Sequence, residues 1–374
     1  MKRIKTTKLA VATLCLASLA ALTACGGGSS GESAPSTKLS TVRVFGDSLA
    51  DSGTFGFKAT VQSSDNYLFT ERIALNYGQT LCPYYKPANA ALDAFAPNTA
   101  KTGCTNYAIA GGVINSATLT NPTANKKGIQ LQLVDGAATA YSPTELVIID
   151  GGGNDAANLV GAFLATQLTP GAAANAQWAG LLGSVSSAAA AAAADPVNSG
   201  ILYMTGLADK FYDTINATVL SKGATHVVIA NIPDITLTPR FQMVLAGIGA
   251  AKGAAVQQQL TAVFKGWVEA FNKEIAVKAG TDGRVVVIDI YSNFQDEVAN
   301  PAQYALSNVK DPSCPITGQG SDGLPTYDFP ACTTTAAKPG WQTYLFADGF
   351  HPTPYGHQLA SQLIARSIAQ KGWL

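Results

Sequence analysis

The chain has 374 residues, 47% of them apolar and 13% charged, with 24 basic and 24 acidic side chains. That much apolar chain permits an enzyme-sized globular domain that needs neither metals nor many disulfides to hold its core. Without residues 1–24 the balance is 20 basic against 24 acidic side chains, which weighs against nucleic acid as a partner. In chain order, the first signal is Lys2, Arg3, Lys5 and Lys8, followed by an apolar run from Leu9 to Ala21 and the small-residue stretch Leu22-Thr23-Ala24-Cys25. This arrangement predicts an export signal over residues 1–24. The apolar run is shorter than the roughly 20 residues that span a bilayer. Removing residues 1–24 takes four of the basic residues and none of the acidic ones, so the remaining chain is net acidic by four charges.

Leu-Thr-Ala-Cys resembles the cleavage box of bacterial lipoproteins, which implies that Cys25 is acylated and anchors the protein to a membrane. Gly26 in place of Asp after that cysteine implies the outer membrane. Ordinary signal cleavage with release of a secreted protein is the alternative. Residues 26–36 are rich in Gly, Ser and Pro, a composition that suits a flexible tether over residues 25–39 ahead of one domain over residues 40–374.

Within that domain, continuous apolar runs of strand length lie at Thr41 to Phe45, Leu146 to Asp150, His226 to Asn231 and Val285 to Ile290. Unbroken rather than alternating apolarity predicts strands buried on both faces. Helical spacing over Ile129 to Ala140, Ile201 to Lys222 and Val256 to Lys278 alternates with them, predicting an α/β fold in which helices flank a central parallel sheet. A fifth short strand is expected near Cys104 to Ala108. The alanine run from Ala188 to Ala194 reads as a surface helix or mobile insertion with little to bury, and Asn293 to Gly340 as a long irregular loop beside a substrate cleft.

Beyond Cys15 and Cys25, four cysteines remain, an even number that suggests two disulfides in an exported protein. Of the three pairings, short loops favour Cys82 with Cys104 and Cys314 with Cys332. A zinc site lacks CxxC spacing, and all three histidines lie outside both loops, so no metal or organic cofactor is expected.

Chemistry concentrates at two places. Phe45-Gly46-Asp47-Ser48-Leu49-Ala50-Asp51-Ser52-Gly53 ends the first strand and lifts Ser48 to the carboxyl end of the sheet, where ligands bind in open α/β folds. Asp348-Gly349-Phe350-His351-Pro352-Thr353 lies far downstream, before a helical segment to Gln370. A serine hydroxyl needs a neighbouring imidazole to take its proton, and that imidazole needs a carboxylate to fix its tautomer, so Ser48, His351 and Asp348 form a candidate set. His226 and His357 read as structural. Each piece has a plain reading of its own: Ser48 as a helix cap, Gly111 and Gly112 as turn glycines, Asn154 and Asp155 as another cap. The pentapeptide Gly27-Gly28-Ser29-Ser30-Gly31 fits a nucleophile elbow but lies in the tether without a preceding strand.

Four blocks in fixed order resemble those of the SGNH (GDSL) hydrolase family: Gly46-Asp47-Ser48-Leu49, Asn106 to Gly111, Gly152-Gly153-Asn154-Asp155, and Asp348 with His351. The resemblance extends from Gly46 to Thr353 and is nearest to the lipase, phospholipase and haemolysin-like branch. It implies a three-layer, flavodoxin-like α/β/α fold, a serine esterase acting through an acyl-enzyme, Ser48 as nucleophile, and Ser48, Gly111 and Asn154 as oxyanion donors. It implies a small-molecule or lipid ester as substrate and leaves two alternatives open: an acyltransferase using the same acyl-enzyme, and a non-catalytic surface protein binding glycan or lipid. Phe55, Phe57 and Phe350 lie near the catalytic blocks and suit an acyl pocket, although core burial is the expected fate of each.

Overall fold

The computed structural model describes residues 38–373. The expected signal peptide, Cys25 and nearly all of the tether lie outside the described residues. In chain order the elements are β1 (Thr41–Phe45), α1 (Phe69–Asn76), β2 (Tyr85–Pro87), β3 (Phe95–Pro97), α2 (Ile129–Gly136), β4 (Glu145–Ile149), α3 (Gly153–Leu168), α4 (Ala172–Val185), α5 (Ser187–Ala191) and α6 (Pro196–Thr218). They continue with β5 (His226–Ala230), α7 (Pro239–Lys252), α8 (Ala254–Ala279), β6 (Val285–Ile288), α9 (Ile290–Ala299), β7 (Ile316–Gln319), β8 (Pro325–Tyr327) and α10 (Pro354–Gln370).

The central sheet has the order β1-β4-β5-β6 and is parallel throughout, with Val44 beside Ile148, Ile148 beside Val228, and Val228 beside Val286. Successive strand residues point to opposite faces, so the continuous apolar runs supply two cores. On one face Phe45, Val147, Ile149, Val227 and Ile229 pack with Leu133 of α2, Leu159 of α3, Phe211 of α6 and Phe271 of α8. On the other, Val42, Val44, Leu146, Ile148 and Ile288 pack with Phe69 and Ile73 of α1 and Ile364 and Ile368 of α10. Each such side chain contributes about 1.5–3 kcal/mol of burial. The result is the three-layer α/β/α architecture.

Four expectations need correction. The segment near Cys104 to Ala108 is reduced to a parallel bridge between Asn106 and Val44, because Tyr107 donates to the Val44 carbonyl while Asn106 also faces Pro83. The last strand stops at Ile288, and Ile290 instead opens α9, capped by the Asp289 side chain. The alanine run does form a short helix at the surface, α5, but the expectation that it has little to bury is corrected, since Ala189 is fully buried against α4 and α6. The loop from Asn293 to Gly340 contains most of α9 and the antiparallel pair β7 and β8. Disulfides join Cys82 to Cys104 and Cys314 to Cys332, the second clipping the base of that pair. Among the described residues, no helix is long and apolar enough to cross a membrane.

Candidate active site

Every candidate residue sits at the carboxyl edge of the sheet. Gly46 leaves β1 under a tight constraint, since a Cβ there would lie 1.3 Å from Asp150 Oδ1. Gln132 of α2 clamps this glycine, accepting from its N–H at 2.9 Å and donating to its carbonyl at 3.1 Å. Asp47 then folds back so that its Oδ1 accepts from Leu49 N–H at 3.0 Å, and the turn presents Ser48 inward with only 8% of its surface exposed. Ser48 caps no helix.

The downstream block is built by local hydrogen bonding. Asp348 Oδ1 accepts the N–H groups of Phe350 and His351 at 2.8 and 2.7 Å, the self-bonding turn that Asp favours. The Thr353 hydroxyl accepts from Gly356 N–H and Pro354 takes the first helical position, so α10 starts directly after the loop. The loop is thereby pinned between a turn and a helix start. It holds His351 Nδ1 3.0 Å from both Asp348 oxygens and His351 Nε2 2.8 Å from Ser48 Oγ, across 303 positions of sequence. With Nδ1 protonated toward Asp348, Nε2 is left to accept from the serine hydroxyl.

The charges reinforce this arrangement. Burial opposes ionisation of His351, but the Asp348 charge and hydrogen bond outweigh it and raise the imidazole above its usual 6.5. Burial likewise works to raise Asp348, and His351 with two backbone N–H groups brings it below the ordinary carboxylate range. Asp47 and Asp150, both buried side by side, are raised by burial, Asp150 the more strongly because Asp47 stands next to it.

Gly111 and Asn154 approach from two other elements. Gly111 has φ +80°, and Gly112 lies so close to the first block that a Cβ would meet the Gly46 carbonyl at 2.8 Å. Asn154, in the first turn of α3, donates from Nδ2 to the Gly112 carbonyl at 2.9 Å and more weakly to Asp47 Oδ2 at 3.4 Å. The Ser48 and Gly111 N–H groups make no hydrogen bond to other described residues. Ser48, Asn154 and His351 line one cavity together with Phe241 and Phe350.

Several positioning residues carried no role in the sequence reading. Asp155 caps nothing in its own helix. It accepts the Ile114 and Asn115 N–H groups at 2.9 and 2.8 Å, tying the Gly111 loop to α3, and burial pushes its carboxyl up to about 6. Asp51 does the same from the other side, accepting Ala110 N–H at 2.8 Å and Thr54 N–H at 2.7 Å. Both aspartates stand inside the quoted blocks, which was the available signal. Gln132 lies 86 positions from Gly46 and had none.

His226 and His357 are both buried, and their rings hydrogen-bond to Thr225 and to the Phe69 N–H rather than to Ser48. His357 stacks on Phe69, and burial drives its imidazole down to about 3. Phe55 and Phe57 are half-buried and line a separate hollow, while Phe350 is 36% exposed beside the candidate site, so none of the three is buried in the core. Among the described residues no cluster of His, Cys, Asp and Glu is arranged to hold a metal ion.

Residues 42–364 match the family described as GDSL-like lipase/acylhydrolase. The chain is also similar to Lipase 1 of Photorhabdus luminescens, at 26% identity over 349 residues and 85% of this chain. It covers 48% of that relative, about half its length.

Proposed function

The chain belongs to the GDSL-like lipase/acylhydrolase family, and on that premise we propose that it is a serine esterase that cleaves carboxylic esters through an acyl-enzyme on Ser48. The observation that carries this reading is the 2.8 Å contact between Ser48 Oγ and His351 Nε2, with Asp348 at the opposite ring nitrogen. Ser48 Oγ attacks the ester carbonyl as His351 takes its proton. The resulting imidazolium is stabilised by Asp348 and returns the proton to the departing alkoxide. Water, activated by the same imidazole, then attacks the acyl-enzyme and releases the acid.

The carbonyl oxygen gains negative charge between the Ser48 and Gly111 N–H groups and the Asn154 amide. Two of these donors have no other partner among the described residues, and Asn154 releases its 3.4 Å contact with Asp47 to serve as the third. Asn154→Ala is therefore expected to lower kcat about 10²- to 10³-fold with a small change in KM, measured by steady-state hydrolysis of p-nitrophenyl acetate. Loss confined to KM would remove Asn154 from this role.

Residues 2–25 support export and lipid attachment at Cys25, which would hold the enzyme at a membrane surface within reach of lipid esters. The catalytic reading is tested by a fluorophosphonate probe. One equivalent should label the protein, with the adduct on the peptide containing Ser48. A folded protein that resists labelling would turn the reading toward a binding protein on the same fold.

A further inference from the structure

The cavity at Ser48 adjoins a groove between two helices. Ala157, Val160 and Leu164 of α3 face Phe241, Val244 and Ile248 of α7 across an apolar groove of about 600 Å³. Ala157, Phe241 and Phe350 line both this groove and the cavity that holds Ser48, Asn154 and His351, so the two spaces adjoin at these side chains. The spacing on α3 and α7 keeps one stripe of each helix turned to the groove. At the outer end stand Leu168 and Lys252, while Arg240, paired with Asp322 of the turn between β7 and β8, stands at the end nearest Ser48, where its N–H donates to the Gly349 carbonyl.

We propose that this groove binds the acyl chain of a long-chain ester whose carbonyl lies at Ser48, with Gly161 and Gly247 setting its depth. The proposal rests on the esterase reading and names the substrate class of that same site. The inner cavity of about 120 Å³ behind Leu49 is the wrong place for such a chain. It is faced by Asp150 and His357, whose Oδ2 and Nε2 atoms are buried without hydrogen-bond partners among the described residues, and by the buried Glu297. It has about a fifth of the groove's volume, 120 against 600 Å³, too little to take a long chain. The groove's charged residues, Arg240 and Asp322 at the end near the serine and Lys252 at the far end, are exposed or half-exposed, which leaves the walls apolar.

Length gives a second constraint. From Ala157 to Leu168 the wall of α3 rises roughly 16 Å at about 1.5 Å per residue. An extended acyl chain advances about 1.3 Å per C–C bond, from a bond of about 1.5 Å at a near-tetrahedral angle. About twelve to fourteen carbons therefore fill the groove, and longer chains project into solvent. Each buried methylene is worth up to about fourfold in kcat/KM.

Gly161 and Gly247 allow the groove to be filled without disturbing the core, because a Cβ at either position meets nothing within 4 Å. The test compares the purified protein with Gly161→Phe and Gly247→Leu on p-nitrophenyl esters from acetyl to palmitoyl, and by titration with cis-parinaric acid, a fluorescent fatty acid. In the unaltered protein kcat/KM should rise with chain length and level off near myristoyl. In each variant the myristoyl-to-acetyl ratio should fall at least about tenfold, the equivalent of two methylenes returned to water, and parinaric acid should bind more weakly. Ser48-dependent hydrolysis with ratios within about twofold of the unaltered protein in both variants would overturn the groove and leave the esterase standing. Ester turnover that is absent throughout, with parinaric acid binding still weakened by both substitutions, would overturn the esterase and leave the acyl-chain site. Unaltered parinaric acid binding in both variants would overturn the groove in either case.

Discussion

Ser48→Ala is expected to lower kcat for p-nitrophenyl ester hydrolysis by about 10⁶, the scale on which removing a triad nucleophile acts, while shifting Tm by less than about 2 °C. The large kinetic effect follows from the absence of a substitute. Ser52, four residues on, has a buried hydroxyl without a hydrogen-bond partner among the described residues and stands apart from His351. The small thermal effect follows from what Ser48 leaves untouched: the turn is held by Asp47 and Gln132, and the two hydrophobic faces of the sheet do not involve the hydroxyl. Hydrolysis rates by the protein and the variant, with melting curves of both, decide the matter. Equal turnover in a folded Ser48→Ala protein would sink the assignment.

Asp348→Asn should cost about 10⁴ in kcat, since an amide in that place no longer selects the productive imidazole tautomer or stabilises the imidazolium. It should also move the pH dependence, and the direction is determined by the opposing influences on His351. The ring must be neutral to accept the serine proton, so kcat/KM rises with pH through its ionisation and falls as acid protonates it. In the unaltered protein Asp348 raises that ionisation above 6.5 against the effect of burial. The acid limb should therefore have its midpoint above 6.5. Without the Asp348 charge, burial acts with only weaker support from Asp47, and the limb should move to lower pH even as the plateau falls. Rate profiles with p-nitrophenyl acetate, whose own charge does not change over this range, measure both effects. An acid limb that stays in place in Asp348→Asn would mean that another group governs it.

The large scale of the fold was legible because parallel strands buried on both faces must be apolar without interruption. Val285 to Ile288 announces itself by this property alone, whereas Thr41 to Phe45 is interrupted by Arg43, which is buried in an ion pair with Glu145 of β4. Short amphipathic or cap-directed elements were less readable: α9 follows β6 after a single residue, and the helix begins because Asp289 caps it rather than because the apolar pattern changes. The alanine run carried no period by which to recognise that Ala189 faces α4 and α6, since alanine is compatible with either fate.

The sequence by itself determined the α/β class, the apolar runs that form the central sheet, and the few residue types with which an activated serine could be built: one Gly-Asp-Ser-Leu turn, one Asp-x-x-His loop, and two small-residue blocks between them. Such signals are local, encoded by runs and spacings of a few residues. Only the tertiary structure decided that Ser48 and His351 meet at 2.8 Å, that Gln132 and Asp155 hold the surrounding loops, and that α3 and α7 leave a groove leading away from the serine. Those contacts join positions far apart in the chain. They depend on how the two apolar faces of one sheet seat their helices, a packing result that no local pattern specifies.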